Sequence, residues 1–443
     1  MKRTVSIDFS HKAGKMPLAI GLVGGPMFSA IEDVSLEKEF AELVPPVILP
    51  SEPALSPSGV LDVHEIFPDF NLDEHFELSY NFKNADKYVL SAKNLGAEVF
   101  LRLGEGLDFT ATSRFNRPPT DYQKYARVLE RIIAHYNQGF AGGYRLGIKN
   151  VELTMLSDRA HGFSGNIDDF FELYSISARY VKERMPRIRV GGYLSGGFRT
   201  LNHVDTGKEE KGYVPYLEEF LRLVSENSGV PLDFLSWSCY ADTPEELALH
   251  SKYASSYLTH YGLKKTLSYV TEFNLNVAKR GEAYCSRQYP ADLAATLITA
   301  VKSELDALLL ADTHPYSYKN GLHTLDDRRA FHPYAAYHVM REMFKVLRGK
   351  CNLVQSGADY RHELYSLALT SEGQGYVIVA TRDFEGDVEI NLCAHSFTNY
   401  SVTAVLGGGE RGQGFVTAAN NLKLGERVVL RAGKHEVYFI TLK

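Results

Sequence analysis

The stretch Leu267-Ser-Tyr-Val-Thr-Glu-Phe-Asn274 decides the fold, because it is an apolar strand that ends in a carboxylate. Strands that are covered on both faces of a parallel sheet are apolar almost throughout. A charged side chain at the end of such a strand therefore marks the point where the strand opens into a loop. Glu272 at this position is suited to attack or to stabilise an electron-poor carbon.

Short apolar runs alternate with longer amphipathic segments from about residue 85 to residue 348, which predicts repeated βα units and a parallel sheet. The predicted strands are Glu98–Leu103, Val151–Met155, Arg189–Gly192, Phe234–Ser238, Thr266–Val270 and Ala307–Ala311. The predicted helices are Tyr122–Asn137, Asp168–Met185, Pro215–Ser225, Pro244–His260, Pro290–Leu305 and Pro333–Leu347. We expect an α/β fold, a (β/α)8 TIM barrel, because no Gly-x-Gly-x-x-Gly turn of a doubly wound sheet follows the first strand.

The pattern changes after about residue 350, where short strands and turn residues follow one another. These strands are Glu363–Leu369, Gly375–Thr381, Val388–Leu392, Ser401–Leu406, Arg427–Leu430 and Glu436–Leu442. They predict an all-β module, a sandwich, which the N-terminal strand Thr4–Phe9 could complete. We therefore predict a barrel over residues 10–348 and a β-sandwich accessory domain from residues 1–9 and 349–443.

Composition excludes several classes of protein. Lys and Arg number 48 against 54 Asp and Glu, so no broad basic face for nucleic acid is expected. The four cysteines (Cys239, Cys285, Cys351 and Cys393) form no Cys-x-x-Cys pair, and buried free thiols are expected. No apolar run long enough for a signal peptide or a membrane span is present, which predicts a cytoplasmic protein without a membrane partner.

Five polar residues fall at the carboxyl ends of predicted barrel strands, where the loops form the main cleft. They are Glu105, Asp158, Tyr240, Glu272 and Asp312. His314, His323 and His332 have no compact ligand spacing, so neither a metal nor a cofactor is predicted.

Several segments in order resemble glycoside hydrolase family 39, a branch of the βα-barrel glycosidases that retain anomeric configuration. They are Val151–Asp158, Phe170–Tyr174, Lys182–Gly192, Asp233–Tyr240 and Val270–Asn274. The terminal β module also matches the family layout. The resemblance implies that Glu272 is the nucleophile and that the Tyr240 hydroxyl orients its carboxylate.

The chain departs from the family pattern at three places. Family members carry Asn-Glu-Pro at the end of the fourth strand, where this chain has Met155-Leu156-Ser157. Leu156 cannot transfer a proton, and such help typically contributes about 10²–10⁴-fold. Asp158 is the nearest replacement, with Glu105 and His161 as weaker candidates. Leu49-Pro-Ser-Glu52 replaces an Arg-x-His, and Ser238 replaces a His.

Three hypotheses stay open at this stage. The first is a glycosidase or transglycosidase with Glu272 as nucleophile, Asp158 as relocated acid, and a glycoside or oligosaccharide as substrate. Its predicted substrate-binding residues are Glu52, Glu105, Trp237, Ser238, Tyr240, Asn274, Asp312 and His314. The second is a carbohydrate-binding protein that has lost catalysis, and the third is a lyase in which a tyrosine such as Tyr240 abstracts a proton. The sugar, the retaining or inverting outcome, and the oligomeric state are left open.

Overall fold

The computed structural model describes residues 1–16, 18–50, 60–107, 116–203, 212–276, 286–313, 322–325, 330–357, 360, 362–393, 396–406 and 414–443. The strands are β1 (Lys2–Lys15), β2 (Ala19–Val23), β3 (Met27–Ser29), β4 (Val34–Ser35), β5 (Val47–Leu49), β6 (Leu61–Asp62), β7 (Glu98–Gly104), β8 (Asn150–Thr154), β9 (Arg189–Ser195), β10 (Phe234–Ala241), β11 (Leu267–Leu275), β12 (Ala307–Leu310), β13 (His323–Leu325), β14 (Phe331–Pro333), β15 (Asn352–Ser356), β16 (Leu364–Ser371), β17 (Gln374–Thr381), β18 (Gly386–Cys393), β19 (Asn399–Leu406), β20 (Phe415–Lys423), β21 (Arg427–Ala432) and β22 (Glu436–Leu442). The α-helices are α1 (Glu37–Phe40), α2 (Val63–Ile66), α3 (Lys83–Asn94), α4 (Tyr122–Asn137), α5 (Ile167–Arg184), α6 (Tyr213–Glu226), α7 (Pro244–His260), α8 (Tyr289–Val301) and α9 (Ala335–Leu347).

Eight parallel strands close into a barrel. Around it they run β2, β5, β7, β8, β9, β10, β11 and β12, and β12 pairs with β2 to complete the circle. The additional β5–β7 pairing closes the barrel on its other side, at Val47 opposite Glu98 and Ile48 opposite Val99. The predicted TIM barrel is confirmed.

Local sequence signals set the limits of the outer helices. Asp121 caps α4 by accepting a hydrogen bond from the Lys124 amide at 2.9 Å. Asn166 and Asp169 form a reciprocal capping box at the start of α5. Thr243 caps α7, and Pro244 occupies its first turn. The predicted bounds of α4 and α7 match the structure at both ends.

A second sheet of nine strands has the order β20-β19-β22-β17-β16-β15-β1-β18-β21. Side chains from both ends of this order, such as Val388 and Val402, lie in one apolar core with Val5, Val379 and Ile440. The sheet therefore folds over on itself as a sandwich, as predicted. β1 completes it by pairing parallel to β18 and antiparallel to β15. The domain limits at residues 9 and 348 stay predictions.

Two strands of the second sheet escaped prediction, β15 and β20. β20 is exposed at most of its positions, so it lacks the apolar alternation that marks a half-buried strand. β15 has only five residues. Neither strand carried a pattern strong enough to predict it.

Helix α8 lies between the barrel and the second sheet. Nearly all of its side chains are buried, and it packs on β16, β17 and β22. Arg382 of the second sheet reaches Asp292 of α8, with its Nε 2.5 Å from Asp292 Oδ1. Such a helix has an apolar surface nearly all round because it is covered on two sides. Among the described residues, no helix has the length and apolar character that a membrane span requires.

Candidate active site

Glu272 lies near the carboxyl end of β11, the seventh barrel strand. Its side chain is 7% exposed and points to a small polar cluster. Oε2 accepts a hydrogen bond from Arg159 Nη2 at 2.9 Å, and Oε1 accepts one from the Tyr240 hydroxyl at 3.1 Å. Both carboxylate oxygens are thus held, which fixes the orientation of the group.

The strand register is irregular on both sides of Glu272. Pairing between β10 and β11 shifts between Trp237 and Ser238, so that Ser238 lies opposite Glu272. Pairing between β11 and β12 shifts between Val270 and Phe273. Bulges of this kind turn a side chain away from the regular alternation of a strand, and they occur next to active sites.

Nearby positive charge keeps the Glu272 carboxylate ionised. Burial by itself raises the pKa of a carboxyl group, because it disfavours the charged form. The charges of Arg159 and Arg102, with the hydrogen bonds from Arg159 and Tyr240, outweigh burial and hold the pKa of Glu272 below its ordinary value. An ionised carboxylate at neutral pH is the form that a nucleophile requires.

A buried ionic layer lies next to this site inside the barrel. Arg102 and Glu152 are both fully buried, and Arg102 Nε lies 2.5 Å from Glu152 Oε1. Thr271 joins the pair, because its hydroxyl donates to Glu152 Oε2 at 2.7 Å and its carbonyl accepts from Arg102 Nη2 at 2.9 Å. Thr271 precedes Glu272, so this layer anchors the backbone that carries the predicted nucleophile.

Asp158, the predicted replacement acid, follows β8 and lies beside Arg159. Its Oδ2 accepts a hydrogen bond from the Gly196 amide at 2.8 Å. Burial raises the pKa of Asp158 to about 6, although the charge of Arg159 and the Gly196 hydrogen bond act in the opposite direction. Asp158 can therefore carry a proton in mildly acidic solution.

Leu156 is fully buried at the end of β8. It packs with Val60 and Leu194, and the half-buried Leu107 lies against them. Its backbone has a φ of 50°, in the left-handed region that side-chain-bearing residues seldom adopt. This position is apolar and supplies no proton donor.

A network of hydrogen bonds fixes the backbone around Tyr240. Arg199 donates to the Tyr240 carbonyl at 3.2 Å and to Asp242 Oδ2 at 2.9 Å. Glu246 at the start of α7 accepts from the Asp242 amide at 2.6 Å. These contacts fix the end of β10 and with it the hydroxyl that contacts Glu272.

Two predicted substrate-binding residues lie in the protein core. Trp237 is fully buried, and its indole N–H donates to Ser268 Oγ at 3.1 Å. Asn274 donates to the Ala311 carbonyl at 2.9 Å and accepts from the Tyr289 hydroxyl at 2.8 Å. Their side chains hold neighbouring strands together, and their predicted role toward substrate stays a prediction.

Glu105 lies in a separate polar cluster with Asp62, His64 and Tyr125. The Tyr125 hydroxyl donates to Glu105 Oε1 at 3.1 Å, and His64 Nδ1 contacts Glu105 Oε2. Burial opposes the imidazolium, but hydrogen bonds to Asp62 and Glu105 and their charges raise the pKa of His64 to about 10. Asp62, His64 and Glu105 offer three potential metal-ligand atoms within 4.8 Å of one another. Hydrogen bonds among these three residues already connect them.

Of the four remaining predicted residues, the structure describes two, Asp312 and Ser238. Asp312 follows β12, is partly exposed, and has a φ of 54°. Glu52 and His314 lie outside the described residues. Ser238, predicted to contact substrate, lies within the cluster around Glu272 and accepts from Arg159 Nη2 at 3.2 Å.

The sequence prediction missed two arginines of the site. Arg159 directly follows the predicted acid, and a permanent cation beside that position was a signal for an ion pair with Glu272. Arg102 is a charged residue inside the apolar run Glu98–Leu103. A charge in a strand that is buried on both faces requires a buried partner, so this signal was present as well.

Comparison with known proteins agrees with this architecture. A scan against known protein families finds no match. A β-xylosidase from Geobacillus stearothermophilus is 25% identical over 189 residues, which span 40% of this chain and 33% of that protein. The chain thus aligns with only a third of the length of this curated relative.

Solved structures share the fold over the whole chain. A glucosidase from Croceicoccus marinus superposes with a TM-score of 0.80 and 20% identity, covering 100% of this chain and 99% of that one. A family 39 β-xylosidase from Caulobacter crescentus superposes with a TM-score of 0.67 and 14% identity, with 100% of both chains covered.

The barrel with its attached β-sandwich is a glycoside hydrolase-like fold, and β-xylosidases and a glucosidase are among the proteins that it resembles. Two structures of glycoside hydrolase family 39, the family that the sequence resembles, share this fold at 14% and 11% identity.

Proposed function

We propose that the protein is a glycosidase or transglycosidase in which Glu272 is the nucleophile. The observation that carries this proposal is a buried carboxylate at the carboxyl end of the seventh barrel strand, ionised by Arg159 and Arg102 and oriented by Tyr240. In a βα barrel this end of the strands forms the reaction cleft. The similarity to a β-xylosidase and to a glucosidase makes β-xylosides and glucosides the first substrates to test.

The reaction has two steps. A Glu272 carboxylate oxygen attacks the anomeric carbon, the bond to the leaving oxygen breaks, and a glycosyl ester forms through an oxocarbenium-like transition state. Water or a sugar hydroxyl then attacks the same carbon, gives up its proton, and releases the carboxylate. Asp158 is the proposed proton-transfer group, because its raised pKa, about 6, allows it both to release and to accept a proton near neutral pH.

Trapping the covalent intermediate tests the proposal. Fluorosugar inactivators of xylose and glucose with a dinitrophenyl leaving group slow both steps through the fluorine, while the good leaving group keeps the first step observable. We expect the intact protein to gain the mass of one fluoroglycosyl group, located on the peptide that contains Glu272. Glu272→Gln should take up no label, whereas the exposed-helix control Glu219→Gln should label like the wild type.

A labelled wild type whose modified peptide lacks Glu272 would reject the assignment of the nucleophile. A wild type that neither takes up label nor turns over nitrophenyl glycosides would reject the enzyme function.

A carbohydrate-binding role is the second candidate function. It is favoured by the apolar cluster around Leu156 and by the ion pair that occupies Glu272. This role predicts saturable binding of a saccharide by calorimetry with no product after prolonged incubation. Covalent labelling of Glu272 would exclude it.

A further inference from the structure

Arg159, which contacts Glu272, offers a charge but no readily released proton. Arg159 Nη2 and the Tyr240 hydroxyl are the hydrogen-bond donors to Glu272 among the described residues. Glu272 and Asp158 raise the pKa of Arg159 further, although burial opposes this, so its guanidinium keeps its protons. Leu156, at the neighbouring end of β8, lies in an apolar cluster. The group that a leaving oxygen would contact in this cleft is therefore the permanently charged guanidinium of Arg159.

The guanidinium of Arg159 has unused hydrogen-bonding capacity. Nη2 serves both Glu272 and Ser238, at 2.9 and 3.2 Å. Nε is buried and has no acceptor within the described part of the chain. A buried donor without an acceptor is unusual in a native protein and calls for an explanation, such as a ligand. The planar guanidinium fork suits oxoanions such as phosphate and carboxylate.

We propose that the preferred substrates are glycosyl donors whose leaving group is an oxoanion, with glycosyl phosphates as the representative class, and that Arg159 binds this leaving group. This inference rests on the proposed function, because it assigns a substrate class to the same nucleophile. Arg159 would contact Glu272 through Nη2 and the leaving oxoanion through Nε, so its guanidinium would lie beside the anomeric carbon, while the oxoanion leaves from the face opposite Glu272. A neutral alkyl glycoside offers nothing for that second contact.

The proton balance fits this substrate class. Glu272 forms its bond to the anomeric carbon while the bond from that carbon to the phosphate oxygen breaks, and the electron pair leaves with the phosphate. No proton is needed in this step, and Arg159 retains its own. In the second step water attacks the glycosyl ester, Asp158 takes the proton of the water, and the Glu272 carboxylate is released.

The first experiment uses the wild-type protein. Both anomers of xylosyl and glucosyl phosphate are compared with the nitrophenyl and methyl glycosides of the same sugars. We expect one anomer of a glycosyl phosphate to have the highest kcat/KM, the nitrophenyl glycoside to follow, and the methyl glycoside to be inert. Inorganic phosphate should compete with the nitrophenyl glycoside. Phosphate that does not compete, or a glycosyl phosphate no faster than the nitrophenyl glycoside, overturns the inference.

The second experiment isolates Arg159. At a pH where Glu272 is ionised in every variant, Arg159→Gln should lower kcat/KM for the glycosyl phosphate by about 10²–10³-fold, as loss of a charge-stabilising donor does. The nitrophenyl glycoside should lose less, about ten- to a hundredfold, because it loses only the charged hydrogen bond between Arg159 and Glu272. Arg159→Lys should recover part of the loss, and Arg222→Gln on the exposed face of α6 serves as the control. Equal losses for both donors would show that Arg159 only holds Glu272.

The two proposals fail in different ways. Covalent labelling of Glu272 without a preference for the glycosyl phosphate removes the substrate class and leaves the proposed function intact. Absence of both labelling and turnover removes the proposed function itself. If Arg159→Gln does not fold, the comparison of donors with the wild-type protein still decides the matter.

Discussion

Replacing Arg102 with Met should strongly destabilise the barrel. Arg102 and Glu152 are both fully buried, and Arg102 Nε lies 2.5 Å from Glu152 Oε1. Without Arg102, the Glu152 carboxylate keeps one side-chain donor among the described residues, the Thr271 hydroxyl at 2.7 Å. Removing one partner of a buried ion pair leaves an uncompensated charge, which costs about 3–5 kcal/mol.

Replacing both partners should cost less than replacing one. In the double variant Arg102→Met, Glu152→Leu neither member of this pair is left behind as an unpaired charge, and such replacements are often neutral. The double variant should therefore be more stable than Arg102→Met by at least about 2 kcal/mol. The matched control is Arg222→Met, because Arg222 pairs with Glu219 and Glu226 on the exposed face of α6. A surface pair of this kind contributes about 0–1 kcal/mol.

The single tryptophan makes the measurement specific to the barrel. Trp237 is the only tryptophan of the sequence and lies fully buried in β10. Urea unfolding followed by its fluorescence reports the barrel, and a constant slope shows that the midpoints can be compared. A cost below about 1 kcal/mol for Arg102→Met, or a double variant no more stable than the single one, would refute the reasoning.

Three further predictions concern single groups. Because the pKa of Glu272 is held below its ordinary 4.5, kcat/KM should stay high down to that pH and fall only below it. Arg159→Gln should move this acidic fall in kcat/KM to higher pH. An unchanged pH profile would contradict the conclusion that the charge of Arg159 lowers the pKa of Glu272. Tyr240→Phe removes the 3.1 Å hydrogen bond to Glu272. Since bonds to charged groups contribute about 1.5–3 kcal/mol, kcat should fall by roughly one to two powers of ten with circular dichroism unchanged. His64 has a folded-state pKa raised from 6.5 to about 10, so its stabilising effect is complete below pH 6.5 and is lost as the pH rises toward 10. The urea midpoints of wild type and His64→Gln should therefore converge over that range, and a constant difference would contradict the pairing.

The fold was predictable because its signals are local. The predicted bounds of α4 and α7 are correct, and each helix begins at a local signal in the sequence, Asp121 before α4 and Thr243-Pro244 at the start of α7. Apolar strands between these helices left the barrel as the simplest arrangement. β20 escaped because a largely exposed strand has no apolar period.

The site was only partly predictable, because its contacts join residues far apart in sequence. The spacing of residues placed Glu272 and Tyr240 at strand ends, and the structure brings them together. Arg159 is 113 positions from Glu272, and only the closed barrel makes them partners. Trp237 and Asn274 lie next to these groups in sequence, but the alternation of side chains and the shifts of register place them in the core.

The pairing of β1 within the second sheet constrains how the chain can be made. Tyr360 donates to the Thr4 carbonyl, a contact between residues 356 positions apart. During synthesis on the ribosome, β1 therefore emerges long before its partners β15 and β18 exist. Until those partners are made, β1 stays an unpaired strand with Val5 and Ile7 exposed, while the barrel is still being translated. A chaperone that holds this segment should raise the yield of native protein. A circular permutant that opens the chain between β1 and β2 places β1 after β22, close in sequence to β15 and β18, and should depend on the chaperone less.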